Sequence, residues 1–224
     1  MKLYLDTADA SQWQLPAGCA PVQGATTNPT LVHAACLPVS LDAYLNLVQQ
    51  AGKQGLPELM LQLPTPDTVQ AQRWVSALHS AAQAIGLQLT IKLPCHPDWQ
   101  GTLACVQALG LPTLLTGVSN AMQLLWAQEH KATYVAPYIG RLQADGRDVW
   151  PFLQACVAVQ QAGGPRLLAA SIKSVDVFTR LLALGAYAVT VRPDFASSLA
   201  LDPITLAAMA QFDTDTLTSQ SHMV

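Results

Sequence analysis

The sequence predicts an α/β protein, a single (β/α)8 TIM barrel with an extra C-terminal helix. Three observations carry that prediction. Short alternating apolar runs, most ending at a polar residue, recur eight times at intervals of roughly 20 to 35 residues, each followed by a helical pattern. No linker or low-complexity segment interrupts the series, so residues 1–224 read as one domain. The chain is 51% hydrophobic and only 11% charged, a balance that suits strands buried on both faces, or an oligomer. A doubly wound open sheet is the structural competitor, but the regular units and the lack of a Gly-x-Gly-x-x-Gly turn count against it.

The first strand runs from Lys2 to Asp6, with Leu3 and Leu5 on one side and Tyr4 and Asp6 on the other. Gly24 to Thr27 is the second, stopped by Asn28-Pro29, where Pro29 suits the first turn of a helix. A helical stretch from about Leu41 to Gln50 follows. Glu58 to Leu63 is the third strand, and Pro64-Thr65-Pro66-Asp67 breaks it before a helix from Thr68 to Ala84. The fourth, Leu87 to Pro94, carries Leu89, Ile91 and Leu93 on one face and Thr90 and Lys92 on the other. A helix from Trp99 to Leu109 leads to strand five, Pro112 to Thr116, and a helix from Asn120 to His130 to strand six, Thr133 to Tyr138. The helix from Asp148 to Gln161 stops at Gly163-Gly164-Pro165 before strand seven, Arg166 to Ser171. A helix from Val175 to Leu184 and the Gly185 stop introduce strand eight, Tyr187 to Val191. The end is an amphipathic helix over 203–217 and a polar tail over 218–224.

Charge and cysteine content exclude several functions. A net charge of -3 with scattered Lys and Arg offers no basic stripe for nucleic acid or an anionic membrane surface. No apolar run has the length of a membrane span, and Asp6 comes too early for a signal peptide. Five cysteines, odd in number and without Cys-x-x-Cys spacing, fit free thiols in a reducing, cytoplasmic setting.

Barrels of this kind place their active sites at the carboxyl ends of the strands. Those positions are Asp6, Thr26 with Asn28, Gln62, Lys92, Thr116, Tyr138, Ser171 and Arg192. Alternation turns Asp6, Gln62, Lys92, Thr116 and Tyr138 toward the barrel interior. Lys92 is then either a snorkelling surface cation or a buried amine. Burial destabilises the ammonium and yields a neutral nucleophile able to form a Schiff base with a ketone. A neighbouring acid or base, with Tyr138 and Thr116 holding a water, moves protons during carbon–carbon cleavage, and no metal or cofactor is required. Asp6 and Asn28 can orient substrate hydroxyls, and Arg141 and Ser171 can bind a phosphate. Each residue also has a plainer role: Asp6 as a cap for a helix starting near Asp9, Thr116 and Gln62 as polar plugs, Tyr138 as a packed aromatic. Cys95 and His96, just past Lys92, are expected at the mouth, although two ligands do not make a zinc site.

Gly24-Ala25-Thr26-Thr27-Asn28-Pro29-Thr30 resembles the first signature of the transaldolase family, and Leu89-Thr90-Ile91-Lys92-Leu93-Pro94 the core of its lysine-bearing one. Leu3 to Thr7, Tyr134 to Tyr138 with Arg141, and Ala169 to Lys173 follow in the family's order across almost the whole chain. The match is closest to the short members called fructose-6-phosphate aldolases. The resemblance implies that Lys92 forms the Schiff base with a dihydroxyacetone unit, that Asp6, Asn28 and Thr116 orient it, and that Arg141 and Ser171 receive the aldehyde's phosphate. Gln62 and Tyr138 are the aldolase choices where transaldolases carry glutamate and phenylalanine. The expected activity is therefore reversible cleavage of fructose 6-phosphate, or a related ketose, to dihydroxyacetone and glyceraldehyde 3-phosphate. A transaldolase passing the same unit between sugar phosphates is the alternative, and a non-catalytic sugar-phosphate-binding barrel the third reading. The family's C-terminal helix packs on neighbouring subunits, which implies a homo-oligomer, in a ring assembly built with that helix. Cys95-His96-Pro97 after the lysine signature, Thr116-Gly117-Val118-Ser119-Asn120, and Arg192 in Val191-Arg192-Pro193-Asp194 depart from the family pattern. These departures ring the mouth, and Arg192 supplements or replaces Arg141 as an anion contact.

Overall fold

The computed structural model describes residues 1–200 and 202–221. Eight parallel strands close on themselves: β1 (Lys2–Asp6), β2 (Val22–Thr26), β3 (Glu58–Gln62), β4 (Gln88–Pro94), β5 (Thr113–Thr116), β6 (Tyr134–Ala136), β7 (Arg166–Ala169) and β8 (Ala188–Val191), with β8 pairing back onto β1. Ten α-helices lie among them among the described residues: α1 (Pro29–Ala34), α2 (Leu41–Lys53), α3 (Thr68–Ala84), α4 (Gln100–Ala108), α5 (Ala121–Glu129), α6 (Ile139–Ala144), α7 (Trp150–Gln161), α8 (Val175–Leu184), α9 (Pro193–Ala200) and α10 (Pro203–Ser221). This is the (β/α)8 barrel with an added terminal helix that the strand periodicity predicts.

The alternation of each strand sorts its side chains between two cores. Leu59, Leu61, Ile91, Leu93 and Leu115 are buried in the layer between sheet and helices. Met60, Leu114, Leu168 and Ala188, at the intervening positions, fill the middle of the barrel. Below them, at the amino ends, the Tyr4 phenol donates to Glu58 Oε2 at 2.7 Å and the Thr90 hydroxyl donates to Glu58 Oε1. Above them the interior becomes polar. The first pairing slips between Leu3 and Tyr4, which brings Gly24 against β3; a Cβ at Gly24 would lie 2.1 Å from the Glu58 carbonyl oxygen, so only glycine lets these strands meet.

Side-chain caps set where helices begin. Asn28, Ser40, Asp67, Asn120 and Ser174 accept from the backbone N–H three residues on, at the starts of α1, α2, α3, α5 and α8. Two helices escape the sequence reading. α6 is six residues long and contains Gly140, too short for a periodic signal; α9 starts at Pro193, only ten positions before the proline that opens α10. The terminal helix also differs from expectation. It continues to Ser221, so residues 218–221 of the supposed tail are helical, and residues 222–224 lie outside the described residues. Its apolar side chains are spread around the axis instead of forming one face: Ile204, Leu206, Met209 and Phe212 are all exposed, Ile204 by 80% and Phe212 by 65%. No helix among the described residues is long and apolar enough to cross a membrane.

Candidate active site

Lys92 sits near the end of β4, with Gln62 of β3 and Leu114 of β5 as its neighbours in register. It is 3% exposed, and burial pushes its amine down to about 8 from an ordinary 10.5, even though the Asp6 charge pulls the other way. The amine faces a cavity of about 410 Å³ at the carboxyl ends of the strands. A snorkelling role is excluded by that burial.

Of the predicted site residues, Asp6, Asn28, Lys92, Tyr138, Arg141, Ser171 and Arg192 line this cavity together. Asp6 is held from behind: the Thr26 hydroxyl reaches Asp6 Oδ1 at 2.9 Å and Thr190 Oγ1 at 2.7 Å. It does not cap the turn that follows, because Asp9 does, through the Ser11 N–H. Asn28 spends its carbonyl oxygen on the Leu31 N–H, so the group it can offer a ligand is its NH2. Thr26, Thr116 and Gln62 stand outside the cavity wall. Thr26 is fully buried behind Asp6, and Thr116 donates to the Tyr138 phenol at 2.7 Å. Gln62 Oε1 is buried with no hydrogen-bond partner, a polar atom that needs one.

Tyr138 follows β6 and opens α6. Burial and the Asp6 charge push its phenol above its ordinary range, partly offset by the Thr116 hydrogen bond and by Arg141, whose Cζ lies 4.7 Å from the ring centroid. The phenol therefore stays protonated at neutral pH. Ser171 adopts a left-handed φ of 60°, uncommon outside glycine, and its carbonyl accepts from the Gly140 N–H at 3.0 Å. A Cβ at Gly140 would meet Ser171 O at 2.6 Å and Lys173 Cε at 3.0 Å. The missing side chain lets the loop after β7 close over α6, gathering Ser171 and Lys173 beside Arg141.

Lys173 and Thr190 are cavity residues that the sequence reading did not single out. Signals existed for both: Lys173 lies two residues past Ser171, and the alternation of β8 that turns Arg192 inward also turns Thr190. Cys95 and His96, expected at the mouth, instead border a separate groove with Asn120, Met122, Gln123 and Trp126. The Cys95 thiol contacts the Gln123 carbonyl at 3.7 Å, and His96 Nδ1 accepts from the Asp98 N–H in the turn before α4. Among the described residues no three His, Cys, Asp or Glu side chains gather as a metal-binding set.

No protein-family profile matches the chain. Among solved structures it is similar to 3-hexulose-6-phosphate synthase from Salmonella typhimurium, with a TM-score of 0.60, 18% identity, and coverage of 91% of this chain and 93% of that one. It is also similar to a mandelate oxidase mutant (TM-score 0.53, 21% identity, 79% and 58% of the two chains) and to the EAL domain of Mycobacterium smegmatis DcpA (0.52, 12%, 70% and 81%). At these identities the likeness is one of fold. Fold and site together define a (β/α)8 barrel with a buried lysine and a polar, cation-rich mouth.

Proposed function

We propose that this chain is a class I aldolase of the transaldolase family, of the fructose-6-phosphate aldolase kind, cleaving a ketose phosphate through a Schiff base on Lys92. The observation that carries the reading is the state of Lys92: a buried amine whose pKa burial lowers to about 8, at the wall of a cavity that also presents a carboxylate, a protonated phenol and a group of cationic side chains.

The neutral amine attacks the C2 ketone, and loss of water gives an iminium. The iminium draws in the electrons of the C3–C4 bond as the C4 hydroxyl gives up its proton, which releases the aldehyde and leaves an enamine. Protonation of the enamine at C3 and hydrolysis of the imine return dihydroxyacetone and free Lys92. Asp6, fixed by Thr26, and the Asn28 NH2 orient the donor hydroxyls. Tyr138, backed by Thr116, serves a water that carries the proton. Arg141, Ser171 and Lys173 take the phosphate of the aldehyde.

Intact-protein mass after incubation with fructose 6-phosphate or dihydroxyacetone and borohydride tests this reading. Wild type should carry a reduced dihydroxyacetone adduct and Lys92→Met none; a folded wild type that traps neither ligand sinks it. Release of free dihydroxyacetone without an added acceptor aldose separates the aldolase from a transaldolase. The exposed apolar side chains of α10 support a homo-oligomer, which sedimentation would show as a mass several times that of the chain.

A further inference from the structure

Asp6 is shared between two spaces. It lines the Lys92 cavity, and it also borders a neighbouring recess of about 580 Å³ together with Thr7, Asp9 and Gln12. Rotation about the Cα–Cβ bond of an aspartate carries its carboxylate from one rotamer well to another, so whatever holds the carboxylate decides which space it serves.

What holds it is a pair of hydroxyls drawn from two other strands. Thr26, on β2, is level with Asp6 in the pairing of β1 with β2, and its hydroxyl donates to Asp6 Oδ1 at 2.9 Å. Thr190, on β8, is level with Tyr4 of β1, and its Oγ1 lies 2.7 Å from Thr26 Oγ1. β2 and β8 flank β1 on opposite sides, and alternation from Ala188 turns Thr190 to the inside of the barrel, so this contact passes across the inner face of β1.

Proton counting gives the pair a direction. A threonine hydroxyl has one hydrogen, and Thr26 gives its own to Asp6, so the hydrogen between the two threonines comes from Thr190. The chain therefore runs from Thr190 to Thr26 to Asp6, and the first bond polarises the hydroxyl that makes the second. Thr26 is 0% exposed and Thr190 2%, so little water competes for these bonds. Loss of the Thr190 hydroxyl would take that donor from the buried Thr26 oxygen and weaken the hold on Oδ1.

We propose that Thr190 is a positioning residue for the reaction at Lys92: by donating to Thr26 it keeps the Asp6 carboxylate on the Lys92 side, where it orients the donor ketone, instead of letting it turn into the neighbouring recess. This rests on the Schiff-base reading. Thr190 acts through Thr26 and transfers no proton to substrate.

The test is borohydride trapping over a concentration series of dihydroxyacetone, read by intact mass, on wild type, Thr190→Val, Thr190→Ser, Thr26→Val and the double variant Thr26→Val with Thr190→Val. Valine keeps nearly the shape of threonine and loses the hydroxyl, whereas serine keeps the hydroxyl and loses the methyl group. The concentration at half-trapping should rise about tenfold in Thr190→Val, the factor that one hydrogen bond supplies, and return most of the way in Thr190→Ser. The double variant should do no worse than Thr26→Val, because Thr190 has no path to Asp6 once the Thr26 hydroxyl is gone. It also leaves neither threonine oxygen buried without a partner, so the comparison with Thr26→Val decides the matter even where Thr190→Val folds poorly. A packing role would give the reverse order, with Thr190→Ser the worse variant. That order, a Thr190→Val that traps as wild type does, or losses that add in the double variant would overturn the assignment of Thr190 and leave the Schiff-base reading standing. No adduct on wild type overturns both.

Discussion

Thr116 donates its hydroxyl hydrogen to the Tyr138 phenol oxygen at 2.7 Å, across the gap between β5 and the segment following β6. With its oxygen receiving that bond, the phenol keeps its own proton free to be offered to a ligand or water in the cavity that Tyr138 lines. Burial keeps that proton on the oxygen.

Under the proposed Schiff-base reading, removing the phenol should separate capture of dihydroxyacetone from turnover. Tyr138→Phe keeps the ring that Arg141 stacks on and deletes the proton donor, so Lys92 should still trap dihydroxyacetone while release of free dihydroxyacetone slows by about 100-fold. Thr116→Val should give a smaller loss in the same step. Steady-state product assays beside borohydride trapping read both quantities, and equal losses in the two would assign Tyr138 to binding.

Asp6 and Lys92 are coupled through charge, which gives a signed pH prediction. Asp6 raises the Lys92 pKa against the larger lowering by burial. Asp6→Asn removes that opposing charge, so the pH at which adduct formation is half-maximal should move below the wild-type midpoint near 8. A stopped-time trapping series from pH 6 to pH 10 measures the midpoint, roughly spanning one side and the other of the transition. An upward shift would mean that Asp6 does not act on the amine through its charge.

Much of this site was legible in the chain because barrel geometry ties function to strand ends. The alternation around Leu89, Ile91 and Leu93 put Lys92 inward, and the same parity located Asp6 and Tyr138. What alternation does not convey is which loop closes over which helix. Lys173 enters through Gly140, a contact 33 residues away in the chain and invisible to local pattern. Cys95 and His96 failed for the converse reason. Nearness to Lys92 in sequence suggested the mouth, but the strand ends at Pro94 and the next turn carries both outward. The helices α6 and α9 were missed because a short helix pinned by its neighbours needs no periodicity of its own.

Lys92 should cost the fold stability in return for reactivity. Its pKa is lower folded, about 8, than unfolded, near 10.5, so between those values the unfolded chain binds more protons and stability rises with pH. Below pH 8 the full penalty is present, on the order of 3 kcal/mol from the size of the shift. Lys92→Met should therefore be more stable than wild type at pH 7, with the difference shrinking as pH climbs toward 10.5. Urea denaturation of both proteins at several pH values checks the sign, and a variant less stable at pH 7 would show that the amine's polar contacts outweigh its burial.

The opposite end of the barrel holds a second buried polar group, this one fully partnered. Glu58 is 4% exposed and receives hydroxyl hydrogens from Tyr4 and Thr90, one on each oxygen. Burial and the Glu58 carboxyl group push the Tyr4 phenol up, so its proton stays available to that bond. Glu58→Ala would leave both hydroxyls buried without their acceptor and open a hole below Met60, costing about 3 kcal/mol. Glu58→Gln keeps an acceptor on one side and should lose less. Because this plug lies at the amino ends of the strands, away from Lys92, both variants should trap dihydroxyacetone as wild type does wherever they remain folded. Thermal unfolding and borohydride trapping on the same samples separate the two effects, and a loss of trapping in folded Glu58→Gln would show that the plug also sets the geometry of the site above it.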